Sequence, residues 1–185
     1  VLQRIHLADL VVSVDEGAEG GARSLEPRVH DAGSLHILGD GDDLHAIVKA
    51  HLSRIGRGDY FAINAYVEMN DSHDEPLQAL RNEVRDHYKV ATTLGYGPRF
   101  LHSTGQLHKG GPNRGVFLQL TADDADDLAI PGQKYTFSVL KSAQAQGDLE
   151  VLAGRERRAL RIHLGADVRA GLDHLAAVVH RALNG

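Results

Sequence analysis

The chain has no cysteine among its 185 residues. Disulfides, thiolate nucleophiles and Cys-ligated zinc are therefore excluded. Tryptophan is absent too, and aromatic residues make up only 5%. That is too few for the stacked platforms that hold single-stranded nucleic acid. Positive charge is in deficit: the net charge is −5, which offers no general attraction to DNA, RNA or anionic lipid. No apolar run is long enough to span a bilayer. The start, Val1-Leu2-Gln3-Arg4, has neither an initiator Met nor a signal-peptide pattern. From this we expect a cytoplasmic protein, and a processed chain or a piece of a longer one. Hydrophobic residues at 42% are enough for a full core, so a folded domain is expected.

What is present alternates. Leu2 to Val14 is apolar and reads as a short helix or a strand, and Asp15 to Ser24 has linker composition. Leu35 to Leu38 reads as a short strand before a turn at Gly39 to Asp42. Asp43 to Ile55 places Leu44, Ile47, Val48, Leu52 and Ile55 on one helical face. Tyr60 to Val67 is apolar apart from Asn64, as a strand buried on both faces would be. Glu75 to Lys89 reads as a helix with Pro76 in its first turn, and Val90 to Leu94 as a second strand. Gly115 to Thr121 and Ala159 to Leu164 complete the strands. Lys134 to Gln146 is a helix, and Asp167 caps a last one reaching Leu183. The pattern predicts an α/β three-layer sandwich with a mostly parallel sheet of four to five strands. Residues 1–29 form an N-terminal segment and linker, and residues 30–185 the domain.

In such sheets ligands lie beyond the carboxyl ends of the strands. The run Gly95 to Asn113 leaves one of those ends. It holds five glycines between Gly95 and Gly111, Pro98 and Pro112, and the polar residues Arg99, His102, Ser103, Thr104, Gln106, His108 and Lys109. Glycine and proline at this density predict a loop, and its donors suit a small polar anion. Other motifs fail. Gly95-x-Gly97 lacks the third glycine of a dinucleotide fingerprint, and no Gly-Lys-Ser/Thr is present. Asp123 to Asp127 lacks the glycine and closing Glu of an EF-hand and reads as a solvated loop. His102 and His108 lack further ligands at zinc spacing, so no metal is expected. The remaining histidines read as surface or structural.

The strings Gly58-Asp-Tyr-Phe-Ala-Ile-Asn-Ala-Tyr66, Ala91 through Pro112 and Gly115 to Thr121 resemble the C-terminal part of bifunctional transaldolase/glucose-6-phosphate isomerase proteins. Pro131-Gly132, Ala143 to Asp148 and Arg158 to Leu164 fit the same resemblance, which runs from about His30 onward. It implies a sugar-isomerase (SIS) type module that interconverts glucose 6-phosphate and fructose 6-phosphate through an enediolate, without a cofactor. It also implies partners: a preceding isomerase lobe and a transaldolase domain, neither of which has a counterpart in these residues. The base would come from the preceding lobe, leaving this chain inactive alone and its uncovered face inclined to weak association or a homodimer. The alternative is a non-catalytic module that binds a sugar phosphate or packs on a partner domain.

Within this resemblance, Lys109 meets a phosphate or a developing enediolate oxygen, or is a solvated lysine. In either role, as a lysine on a flexible loop, its replacement by Ala changes stability by only about 0.5 kcal/mol either way. His102 and His108 are ring-opening acid/base candidates, or hydrogen-bond backbone. Arg99 binds phosphate or locks the segment to a carboxylate. Ser103 and Thr104 donate to phosphate or form side-chain turns, and Gln106 meets a sugar hydroxyl.

Overall fold

The computed structural model describes residues 10–13, 28–30, 34–38 and 41–185. In chain order the strands are β1 (Leu10–Ser13), β2 (Arg28–His30), β3 (Ser34–Leu38), β4 (Tyr60–Tyr66), β5 (Ala91–Tyr96), β6 (Gly115–Thr121) and β7 (Arg158–His163). The helices are α1 (Gly41–Leu52), α2 (Asp71–Tyr88), α3 (Thr104–Gly110), α4 (Phe137–Gly154) and α5 (Val168–Asn184). The strands form one sheet in the order β2-β3-β1-β7-β6-β4-β5. Every pair is parallel except β2 with β3. The three-layer α/β class holds, but the sheet has seven strands among the described residues rather than four or five. Arg28-Val29-His30 is too short, with one apolar residue, to show alternation. Leu2 to Val14 resolves as a strand at Leu10–Ser13. The linker expected at Asp15 to Ser24 lies outside the described residues.

The central strands read as continuous apolar runs because both of their faces are covered. Phe61, Ile63 and Ala65 of β4, Val116, Leu118 and Leu120 of β6, and Leu160 and Ile162 of β7 pack under α1, α2 and α5. From the helices come Leu44, Val48, Leu77, Leu80, Leu172 and Leu175, all buried. Each such side chain stabilises the fold by about 1.5–3 kcal/mol relative to exposure. The opposite face is smaller and more polar. Tyr60, Ala62, Phe117, Leu149, Leu152 and Ala159 form one cluster there, and Tyr66, Phe100 and Ala145 another.

Helix ends follow their caps. The helix expected from Glu75 begins at Asp71 because the Asn70 side chain accepts the His73 N–H at 3.0 Å. Pro76 is therefore inside α2 rather than in its first turn. Having no N–H, it leaves the Ser72 carbonyl without its helical donor. Arg169 of α5 supplies one, its Nη1 donating to that oxygen at 3.1 Å. The helix expected over Lys134 to Gln146 begins after the Thr136 cap and runs on to Gly154. Asp167 caps α5 as expected, accepting from the Ala170 N–H at 3.0 Å.

Gly115 is held to glycine by packing. A Cβ there would lie 2.0 Å from Cζ of the fully buried Phe117. Gly115→Ala is expected to cost about 2 kcal/mol through overpacking, read as a lower urea midpoint at unchanged slope. An unchanged midpoint would show that the Phe117 ring has room to yield.

Candidate functional site

The connection from β4 leads to β5, on one side of it in the sheet, and that from β6 leads to β7, on the other side. The loops leaving the carboxyl ends of neighbouring β4 and β6 therefore part, which in open α/β sheets makes a crevice for ligands. A cleft of about 810 Å³ lies there. Glu68 and His73 line it after β4, Asp123, Asp124 and Asp126 after β6, Lys141 from α4, and Asp167 and Arg169 around the start of α5. The parallel crossovers bring the N-termini of α2, α4 and α5 to this edge.

Most of the charges here are engaged. Lys141 Nζ makes an ion pair with Asp124. His163 Nε2 is 3.4 Å from Asp123 Oδ1, and its Nδ1 is 3.1 Å from Thr121 Oγ1. Arg169 Nε donates to both carboxylate oxygens of Asp173 at 3.0 Å. His73 Nδ1 donates to the Glu68 carbonyl at 2.9 Å. Tyr96 donates its hydroxyl proton to Asp74 at 2.8 Å, and burial together with that bond raises its pKa.

The segment from Gly95 to Asn113 is not a loop. After β5 and the cis Gly97–Pro98 bond it forms a 3-10 turn, Arg99–His102, and then α3. The glycines serve close packing: a Cβ on Gly97 would lie 2.6 Å from the Tyr66 ring, and one on Gly95 2.9 Å from Phe100 Cβ. This splits the expected site in two. Arg99, His102, Ser103 and Thr104 are exposed at the carboxyl end of β5. Ser103 Oγ donates to the Phe100 carbonyl at 3.2 Å, and Gln106 Nε2 to the Leu101 carbonyl at 2.8 Å, so both also shape the turn.

His108 and Lys109 are elsewhere, because α3 runs back toward the amino end of the sheet. His108 is buried, stacked on Tyr60 with ring centroids 5.7 Å apart and set 4.9 Å from Phe117. Phe117 is the third residue of β6. Four more residues of strand, about 13 Å, separate it from the carboxyl edge. Burial pushes the His108 pKa down to about 4, against the pull of Asp148. It is a neutral, packed ring whose Nδ1 lies 3.0 Å from the Tyr60 hydroxyl, not an exposed acid/base.

Lys109 is not a solvated lysine. Its Nζ donates to Asp148 Oδ1 at 2.8 Å, and the Asp148 side chain is only 2% exposed. The Lys109 carbonyl accepts from Arg155 at 3.1 Å and from Arg157 at 2.9 Å. Asp148 belongs to a polar layer between sheet and α4. Arg161 donates to Gln119 Oε1 at 2.5 Å, Gln146 Oε1 at 2.6 Å and the Ala145 carbonyl at 2.7 Å. Gln119 Nε2 donates to the same carbonyl at 3.1 Å and is 3.5 Å from Asp148 Oδ2. The Tyr66 hydroxyl and Asn64 Nδ2 are buried beside this layer with no hydrogen-bond partner among the described residues.

Reading by residue type missed His73, Lys141 and Arg169, and set Asp123 and Asp124 aside as solvated. The signal was present: these residues follow the carboxyl ends of strands that the sequence does show. Glycine density drew attention to one strand end when the rule applies to all of them. Among the described residues no group of His, Asp and Glu is arranged to hold a metal ion, and no helix is long and apolar enough to cross a membrane.

No family model and no curated protein matches the chain. Among solved structures it is similar to a hypothetical protein from Thermus thermophilus, at 17% identity and a TM-score of 0.59 over 77% of this chain. The match spans 38% of that longer protein. At this identity the likeness concerns the fold alone.

Proposed function

We propose that the chain is the C-terminal lobe of a glucose-6-phosphate isomerase, set behind a first lobe as in transaldolase/isomerase fusions. The observation that carries this reading is the exposure of Arg99, His102, Ser103 and Thr104 together at the carboxyl end of β5, the strand paired with β4. Arg99 presents the planar donor fork that phosphate favours, with hydroxyl donors within five residues of it. The sequence resemblance supplies the reaction, aldose–ketose isomerisation through an enediolate, and the preceding lobe supplies the base. A non-catalytic sugar-phosphate-binding module is favoured by one finding: His108 is buried and Lys109 is held by Asp148, which removes both from the edge where a ligand would sit.

Titration with inorganic phosphate and then glucose 6-phosphate, followed by amide NMR, tests the reading. The amides of residues 99–104 are expected to shift first, and Arg99→Ala to abolish those shifts. Strongest shifts at 123–127 with inorganic phosphate would remove the phosphate site from β5. Isomerase turnover, assayed with and without the first lobe, separates enzyme from binding module.

A further inference from the structure

Deepening the reading just given, we infer that the cleft at the ends of β4, β6 and β7 binds the uncharged, hydroxyl-rich part of a sugar, with His73 Nε2 accepting a hydrogen bond from one of its hydroxyls. The tautomer follows from geometry. A carbonyl oxygen only accepts, so the bond from His73 to the Glu68 carbonyl at 2.9 Å places the proton on Nδ1. In the neutral ring Nε2 then carries the lone pair that accepts, and it has no hydrogen-bond partner among the described residues. The side chain is half-buried and lines the cleft. The bond to Glu68, five residues earlier, ties the ring to the loop that leaves β4, so its orientation is set before any ligand arrives.

Charge decides the class of ligand. Five carboxylates line the cleft, Glu68, Asp123, Asp124, Asp126 and Asp167, against two permanent cations, Lys141 and Arg169. Lys141 is already paired with Asp124. A phosphate placed here would meet an excess of negative charge, whereas hydroxyls find acceptors in the carboxylates and His73 and donors in Lys141 and Arg169. A volume of about 810 Å³ is ample for a six-carbon chain. β4, whose end carries His73, pairs directly with β5, whose end carries Arg99 to Thr104.

The test uses the 185-residue chain with glucitol, which has hydroxyls and no phosphate, beside inorganic phosphate and glucitol 6-phosphate. Imidazole nitrogen NMR of the free protein should show His73 protonated on Nδ1. Glucitol should shift its Nε2 signal and the amides of residues 68–73 and 123–126. His73→Asn keeps a donor for the Glu68 carbonyl, is too short to place an acceptor where Nε2 stands, and should weaken glucitol binding roughly three- to tenfold. Circular dichroism and the urea midpoint of this variant establish that it folds. Glucitol shifts that leave His73 and the cleft untouched, or equal affinity in a folded His73→Asn protein, would overturn the inference. Glucitol 6-phosphate shifts at 99–104 without cleft shifts would sink it and leave the proposed function standing. Cleft shifts without those at 99–104 would do the reverse.

Discussion

Lowering the pH from 6.5 to 4 is expected to cost this protein several kcal/mol of folding free energy, with two protons taken up on unfolding. Two buried histidines are the cause. His51 of α1 is 1% exposed, and its Nε2 donates to the Phe117 carbonyl at 3.0 Å while its Nδ1 is buried without a partner. Burial, and then the Arg54 charge, push its pKa from 6.5 to about 3, with Arg158 adding to the effect against the bond to Phe117. His108 falls to about 4, chiefly through burial. Both rings stay neutral in the fold, while in the unfolded chain both protonate below about 6.5. The unfolded state therefore binds more protons throughout this window, and stability falls as pH falls. Each histidine contributes a slope approaching about 1.4 kcal/mol per pH unit, ending near pH 4 for His108 and near pH 3 for His51. Urea unfolding across the range reads the slope directly. His51→Phe should halve it while lowering stability at neutral pH through the lost bond. Constant stability from pH 7 to pH 4.5 would show that the rings are not held neutral.

Lys109→Ala is expected to destabilise the fold by about 3 kcal/mol, the cost of leaving one member of a buried pair without the other. This replaces the near-neutral effect that a solvated lysine implies. The stranded group would be Asp148, 2% exposed, with Gln119 Nε2 at 3.5 Å and the neighbouring Tyr66 hydroxyl as weaker donors. The double variant Lys109→Met/Asp148→Leu removes both charges and should recover much of the loss. Denaturant midpoints of the two single variants and the double variant form a cycle that isolates the pair. A Lys109→Ala cost within about 0.5 kcal/mol would return Lys109 to the solvated role.

Strands β4, β6 and β7 were legible because hydrophobic runs buried on both faces leave a clear signature. Gly115–Thr121 has the expected bounds, and Asp167 caps the last helix as read. The site was less legible. Glycines at 95, 97 and 105 look like loop residues, yet each lies against Phe100 or Tyr66 in a packed turn and helix. Spacing cannot distinguish a glycine that frees the backbone from one that admits a ring. Nor does local sequence reveal that Asp148, in the middle of α4, lies within hydrogen-bond reach of Lys109, 39 residues earlier. Such a pairing depends on two crossovers returning to the same face.

The two faces of the sheet also differ in how they fix a helix in place. A helix resting on leucines, as α5 does through Leu172, Leu175 and Leu183, loses less by rotating slightly, since a nearby apolar contact is nearly as good. α4 has no such freedom: its Ala145 carbonyl, Gln146 amide and Asp148 carboxylate each meet a particular donor from Arg161, Gln119 or Lys109. A shift of one residue would strand all of them at once. The apolar layer thus supplies most of the adhesion, and the polar layer sets alignment. Many sequences could satisfy positions 172–183, and far fewer could satisfy 145–148.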